Sequence, residues 1–322
     1  MMINTREDSK VESIRRHFGG LGGVIYSKLS DPNVIEIMLN PDGNVWVEEF
    51  GKPMSIVSQI DADRGQLILK AIAGFYGEIL SQDNPILECE LPGKGDHPAD
   101  WSRFEGVAPP VVVNPSFSIR KKAVRVFTLS DYLSAGIITD NQLHAIEGAV
   151  INRKNILIVG GTGSGKTTLA NAVIDSIVKR CPEDRIVIIE DTAEIQCSAP
   201  NSIPLRSTQN VDMHKLLRAA LRLRPDRILV GEVRGGEALA LIKAWNTGHP
   251  GGLATIHADS AAKGMVRLEE CLSEVTHSVS RESLAEAIGV IVFIKKNSKG
   301  RIVDEILKVN GYENDTYQFE KI

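Results

Sequence analysis

The chain has 322 residues, of which 43% are hydrophobic and 24% charged, and its formal net charge at pH 7 is -4. This composition is ordinary for a soluble globular protein, and the length favours two domains. The net charge argues against a generally basic coat for nucleic acid but leaves a local basic patch open. The longest mainly apolar stretch, 288–294, is too short to cross a bilayer, so we expect any membrane association to be peripheral. The four cysteines include no C-x-x-C pair, which indicates free thiols in a reducing cytoplasm.

The first third of the chain predicts a small α+β domain. A short amphipathic helix is expected at 6–18 and a longer helix at 67–80. The predicted strands are 34–39, 45–47, 86–91, 102–107, 111–113 and 116–119. This part contains no local catalytic motif. We therefore assign 1–120 to an N-terminal α+β domain and the less regular stretch 121–139 to a linker.

From residue 140 onward the pattern changes to apolar strands that alternate with helices. Thr139 and Asp140 can cap the first of these helices. The predicted strands are 156–159, 185–189, 227–230, 253–256 and 290–294, followed by a terminal hairpin of 301–309 and 317–319. This alternation is typical of a parallel sheet covered by helices on both faces, so the predicted fold class of 140–322 is α/β.

A glycine-rich loop joins the first of these strands to the helix that follows it. Its residues are Gly160, Gly161, Thr162, Gly163, Ser164, Gly165, Lys166 and Thr167, with Thr168 next in the chain. They match the pattern G-x-x-x-x-G-K-[ST] in a strand–loop–helix context. The loop can turn its N–H groups toward an anion, Lys166 can reach the outer phosphates, and the hydroxyl of Thr167 can bind Mg²⁺. The sequence therefore predicts that the chain binds a nucleoside triphosphate.

Three polar side chains follow later strands of the predicted sheet. Glu190, Glu232 and His257 each come after an apolar run, and the carboxyl ends of parallel strands meet at one edge of a sheet. We expect the two carboxylates to hold hydrated Mg²⁺ or to orient or deprotonate water, and His257 to respond to the γ-phosphate. The sequence does not decide which carboxylate is the base. Carboxylates in such positions also cap helices.

Four segments stand in the order that is seen in the secretion-superfamily traffic ATPases. They are the glycine loop, 185–194, 223–234 and 252–258, which resemble the Walker A motif, Asp box, Walker B motif and His box of that family. The compact first domain and the overall length are most similar to the conjugal-transfer ATPases of type IV secretion systems.

This resemblance implies a RecA-like P-loop core, with ATP and Mg²⁺ as cofactors, and Lys166, Glu190, Glu232 and His257 as catalytic groups. It also implies a homohexameric ring that hydrolyses ATP at the cytoplasmic face of the inner membrane. There the ring would power assembly or transport, with components of the secretion or conjugation channel as partners.

The resemblance further implies a role for the N-terminal domain. Members of the family send arginines from this domain to the nucleotide, and Arg103 and Arg120 stand at the matching positions. Both residues could instead be solvated charges at a strand edge.

Other functions stay open at this stage. Within the superfamily the alternative is a motor for pilus assembly or retraction, and outside it a DNA-binding or DNA-translocating ATPase. The acidic net charge and the few aromatic residues (8 Phe, 5 Tyr and 3 Trp) disfavour a stacking platform for single strands. A GTPase is disfavoured because no Asn-Lys-x-Asp element follows the glycine loop. Direct binding of nucleic acid is left undecided.

Overall fold

The computed structural model describes residues 11–12, 14, 23–49, 52–92, 101–121, 126–208, 210–276, 278–297 and 300–322. The chain divides into two compact units, Met1–Val124 and Arg125–Ile322. Each unit has its own sheet and its own hydrophobic core. No helix in the described part of the chain combines the length and the apolar character that crossing a membrane requires.

The first unit is built on a six-stranded antiparallel sheet with the strand order β3-β2-β1-β6-β5-β4. Its elements are α1 (Val24–Ser30), β1 (Val34–Leu39), β2 (Asn44–Glu49), β3 (Ser55–Gln59), α2 (Ala62–Tyr76), β4 (Ile86–Glu90), β5 (Arg103–Val107) and β6 (Ser116–Arg120). Ile68, Leu69 and Ile72 recur at helical spacing on α2 and are buried in the same cluster as Ile37 and Phe104. The α+β character predicted for this part of the chain is confirmed.

Several predicted boundaries in the first unit are wrong for local reasons. Helix α2 begins earlier than predicted because Asp61 caps it, accepting a hydrogen bond from the backbone N–H of Arg64. The predicted strand at 111–113 is a turn between β5 and β6, and prolines lie close to it on both sides. Strand β3 was not predicted. The helix predicted at 6–18 lies mostly outside the described residues.

The second unit is built on an eight-stranded sheet with the order β14-β13-β12-β7-β11-β10-β8-β9. Its strands are β7 (Ile156–Val159), β8 (Ile186–Glu190), β9 (Ser202–Arg206), β10 (Arg227–Val233), β11 (Leu253–Ile256), β12 (Val290–Asn297), β13 (Gly300–Glu313) and β14 (Thr316–Lys321). The pairings from β12 to β9 are parallel, whereas β13 and β14 continue the sheet as antiparallel strands. Strand β9 is an addition to the predicted set.

Helices cover both faces of this sheet. They are α3 (Leu129–Ser134), α4 (Asp140–Ile151), α5 (Lys166–Arg180), α6 (Met213–Ala220), α7 (Glu237–Asn246), α8 (Ala261–Ser273) and α9 (Arg281–Ala287). Along β7, Leu157 and Val159 pack into one buried cluster, whereas Ile156 and Ile158 pack into another. Because both faces are buried, β7 needs an uninterrupted apolar sequence, and the predicted α/β class is confirmed.

Part of the predicted linker, within 126–139, forms regular structure. Thr128 and Asp131 form a capping box at the start of α3. Leu129, Tyr132 and Ile138 are buried in the core of the second unit. A helix of only six residues is too short to show a clear periodicity, so its packing could not be predicted from the sequence.

Candidate active site

The glycine loop connects β7 to α5 at the carboxyl edge of the parallel strands. Gly163 and Gly165 have positive φ angles of 69° and 96°, a backbone conformation that residues other than glycine rarely adopt. A Cβ atom on Gly160 would lie 2.4 Å from the carbonyl oxygen of Ile294. No side chain among the described residues caps the N-terminus of α5, so its first N–H groups are available to an anion.

Lys166 is the first residue of α5, and its side chain lies over the loop. The residue is 8% exposed, and its Nζ donates a hydrogen bond of 3.1 Å to the carbonyl oxygen of Gly161. The same Nζ lies 3.1 Å from Nε2 of His257, which follows β11. The ammonium group is therefore held at the loop by polar contacts that a phosphate could replace.

The hydroxyl of Thr167 meets a carboxylate from the segment after β8. Thr167 Oγ1 donates a hydrogen bond of 3.1 Å to Oε2 of Glu194. Asn171, one turn further along α5, also contacts this segment, because its Nδ2 donates to the backbone oxygen of Glu194 at 3.2 Å. A hydroxyl and a carboxylate oxygen are ligands of the kind that Mg²⁺ prefers.

Glu190 ends β8 and is turned toward backbone rather than toward solvent. It is 4% exposed, and its Oε1 accepts hydrogen bonds from the N–H groups of Glu194 at 3.0 Å and Ile195 at 2.7 Å. Burial raises the pKa of Glu190 to about 7, although the two backbone hydrogen bonds act in the opposite direction. A Cβ on Gly231 would lie 3.0 Å from Glu190 Cγ, so a larger residue at 231 would press on the buried Glu190 side chain.

Glu232 lies between an arginine and a histidine. Its Oε2 accepts a hydrogen bond of 2.7 Å from Nε of Arg234, and its Oε1 is 2.6 Å from Nε2 of His257. Arg234 also reaches Asp191, with 2.6 Å between Nη1 and Oδ2. Burial and the positive charge of Lys166 lower the pKa of His257, while Glu232 opposes that shift.

These contacts bring most of the predicted site residues of the second unit into one connected group. Lys166 contacts His257, which contacts Glu232, while Thr167 contacts Glu194. Arg103 and Arg120 belong to the first unit, where they are direct cross-strand partners on β5 and β6. Such partners project from the same face of a sheet.

Three residues near the loop were absent from the predicted site. Glu194 contacts Thr167 at the start of α5, and Asn171 contacts the backbone of Glu194. Arg301 lies beside Gly165, because a Cβ atom placed on that glycine would be 2.9 Å from the Cδ of Arg301. The spacing of four between Thr167 and Asn171 could have suggested a shared helix face. No sequence signal placed Arg301 there, because β13 comes beside the loop only through pairing with β12.

A preassembled metal cage is absent from the described residues, which contain no cluster of three or more His, Cys, Asp or Glu side chains able to hold an ion. The available donors are instead the Thr167 hydroxyl and the Glu194 carboxylate. This donor set fits Mg²⁺, which commonly binds one or two protein oxygens together with waters and substrate phosphates.

Comparison with known proteins identifies the family. Residues 22–302 match the model of the family described as Type II/IV secretion system protein. The chain belongs to this family. It is 45% identical over 307 residues to the probable conjugal transfer protein TrbB of Sinorhizobium fredii, covering 95% of this chain and 93% of that protein.

A second relative agrees with this assignment, and a solved structure shares the fold. The type IV secretion system protein VirB11 of Bartonella henselae is 33% identical over 276 residues, covering 72% of this chain and 74% of that protein. The X-ray structure of the Legionella pneumophila ATPase DotB covers 86% of this chain and 77% of that chain, with a TM-score of 0.64 and 20% identity. The predicted RecA-like core and the predicted secretion ATPase are confirmed.

Proposed function

We propose that this chain is the ATP-hydrolysing motor of a conjugative type IV secretion system. The proposal rests on a phosphate loop whose helix contacts Glu194 through Thr167 and beside which His257 pairs with Glu232. The chain that carries this site is 45% identical to a probable conjugal transfer protein over 95% of its length. The motor works as a homohexameric ring in the cytoplasm, peripherally attached to the inner membrane. Its partners are components of the conjugation channel.

The loop and Lys166 hold the phosphates of ATP. The N–H groups at the start of α5 face the phosphate chain, and Lys166 exchanges its contact with Gly161 for one with the outer phosphates. Thr167 and Glu194 are the residues that would hold Mg²⁺. Bound there, Mg²⁺ would neutralise charge that develops on the phosphoryl oxygens.

Glu232 orients the attacking water and is the stronger candidate for the base. Its Oε2 is engaged by Arg234, while its Oε1 faces His257, which in turn contacts Lys166. A change in the position of Lys166 on phosphate binding therefore reaches Glu232 through the imidazole of His257. Glu190 acts differently from the metal ligand or base expected from the sequence: because its Oε1 receives two backbone N–H groups, it shapes the segment that carries Glu194.

Arg103 and Arg120 supply cations from the first unit in this proposal. A loose phosphoryl-transfer transition state carries charge that additional arginines stabilise. Triphosphate then gives these arginines a strong partner that diphosphate lacks, which links the nucleotide state to movement of the first unit.

The test uses donor cells that lack this protein and carry the conjugative element. Lys166→Ala is compared with Lys179→Ala, which changes a surface lysine on the same helix that forms an ion pair with Asp175. We expect Lys166→Ala to lose about 10²-fold or more of the ATPase activity of the purified protein and to abolish transfer. The control should retain both.

Three results would contradict the proposal. Normal transfer with Lys166→Ala would show that hydrolysis at this loop does not drive conjugation. Normal transfer in cells without the protein, combined with loss of pilus assembly or retraction, would support a pilus motor. Stimulation of the ATPase by DNA but not by membranes or channel components would support a DNA-translocating enzyme.

A further inference from the structure

The segment that carries Glu194 is held by side chains rather than by regular secondary structure. After β8 ends at Glu190, the chain forms neither helix nor strand until β9 begins at Ser202. The position of the Glu194 carboxylate therefore depends on whatever anchors this segment locally. A ladder of backbone hydrogen bonds does not fix it.

Two buried side chains supply these anchors from opposite sides. From the end of β8, Glu190 accepts hydrogen bonds from the backbone N–H groups of Glu194 and Ile195. From the helix side, Asn171 donates to the backbone oxygen of Glu194 at 3.2 Å and accepts the N–H of Gln196 at 2.9 Å. Three consecutive N–H groups and one carbonyl are thus satisfied by two side chains.

Asn171 is also placed to link this segment to the phosphate loop. It is 3% exposed and lies four residues after Thr167 on α5, so both side chains lie on one face of the helix. The helix therefore holds the segment at two points: Thr167 contacts the carboxylate of Glu194, and Asn171 contacts its backbone. The buried side-chain amide donates one hydrogen bond through its NH₂ group and accepts another through its oxygen. An aliphatic side chain could make neither hydrogen bond.

We propose that Asn171 is a positioning residue that fixes Glu194 beside Thr167 and thereby completes the Mg²⁺ site. The inference rests on the proposed function, which assigns Mg²⁺ to Thr167 and Glu194. Groups that orient the ligands of a metal commonly change its affinity 10–100-fold when they are removed, although they do not touch the metal. Asn171 acts in this way because it contacts the main chain of the ligand-bearing residue.

The experiment compares Asn171→Ala and Asn171→Asp with wild-type protein. Asn171→Asp keeps the shape and the acceptor for Gln196 but loses the donor to Glu194, so it remains informative if the alanine variant unfolds. Ser176→Ala is the matched control, because Ser176 is 6% exposed on the same helix and its Oγ has no hydrogen-bond partner among the described residues.

Two quantities are measured. The first is hydrogen exchange of the Gln196 amide in nucleotide-free protein, which should become faster in Asn171→Ala and stay slow in Ser176→Ala. The second is the affinity for ADP with Mg²⁺ and with EDTA. We expect Asn171→Ala to reduce the gain in affinity due to Mg²⁺ by about 10-fold or more, without weakening binding in EDTA.

The outcomes separate this inference from the proposed function. If wild-type protein gains no affinity from Mg²⁺, the metal site itself is wrong. If wild-type protein gains affinity and both Asn171 variants keep the full gain, the metal site stands and the role of Asn171 is refuted. Equal weakening of binding with Mg²⁺ and in EDTA would also refute it, because that result describes general damage to the loop.

Discussion

Thr167 donates a hydrogen bond of 3.1 Å to Glu194, and this contact joins the start of the phosphate-loop helix to the acidic segment after β8. Glu190, the last residue of β8, is 4% exposed and accepts hydrogen bonds from the backbone N–H groups of Glu194 and Ile195. The two glutamates stand four residues apart in similar sequence surroundings. Their environments give them different expected roles at a Mg²⁺ site.

Replacing these two glutamates should therefore have different effects. Glu194→Gln is expected to lower ATP turnover by about 10²-fold and to remove most of the Mg²⁺ dependence of ADP binding, because an amide is a poor ligand for Mg²⁺. Steady-state kinetics and calorimetry with and without Mg²⁺ measure both. Glu286→Gln on the exposed side of α9 serves as the control. Wild-type turnover in Glu194→Gln, with turnover lost only in Glu190→Gln, would reverse the assignment.

Stability should depend on pH through Glu190. Its pKa is about 7 in the folded chain against an ordinary 4.5, so the unfolded chain ionises first as pH rises. The stabilising contribution is fully present below about 4.5 and is lost as pH rises through about 7, a difference on the order of 3 kcal/mol. Glu190→Gln removes this carboxyl group, so the variant lacks this pH-dependent change in the free energy of unfolding.

Thermal unfolding across this pH range, without nucleotide, measures the effect. The melting temperature of Glu190→Gln minus that of wild type should increase between about pH 4.5 and about pH 7. A difference that is constant across the range would show that Glu190 is not buried as described. Glu286→Gln again provides the comparison for an exposed carboxylate.

Glu232→Gln should keep ATP binding and lower turnover by about 10²-fold, since the amide preserves the shape and removes the charge that acts on water. It should also move the pKa of His257 further down, because Glu232 is the nearby charge that raises it. NMR titration of His257 follows this directly. An upward shift of that pKa, or turnover equal to wild type, would exclude the proposed role of Glu232.

Arg103 and Arg120 are cross-strand partners, and acidic residues flank them on the neighbouring strands. Glu90 is opposite Arg103 on β4, and Glu36 is opposite Arg120 on β1. We expect Arg103→Ala/Arg120→Ala to change the free energy of unfolding by only about 0.5 kcal/mol, since Arg103 makes a surface ion pair of 3.6 Å with Glu88 and such exposed pairs contribute little to stability.

The same double variant should lose ATP turnover. Hydrogen exchange or solution scattering with a non-hydrolysable ATP analogue should show nucleotide-dependent closure in wild type and a smaller response in the variant. Lys70→Ala, on the exposed side of α2, is the control. Identical turnover and identical closure in wild type and the double variant would mean that these arginines are surface charges.

Much of the fold could be predicted from local patterns. The apolar run of β7 and the helical spacing after the glycine loop follow from burial on both sides of a parallel sheet. Strand β9 and helix α3 were not predicted, because one is an edge strand without strict alternation and the other is a short helix. Residues 111–113 are rich in valine but form a turn, since nearby prolines remove hydrogen-bond donors.

The sequence by itself determined the chemistry of the phosphate loop. Glycines at positions of positive φ, a lysine and a threonine at fixed spacing need only a strand before them and a helix after them to form an anion site. Only the tertiary structure decided what each carboxylate does. Glu190 and Glu194 differ because one side chain is buried against backbone N–H groups, whereas the other meets the Thr167 hydroxyl through the packing of α5. Such contacts depend on elements that are far apart in the chain, so residue type and spacing could not assign them.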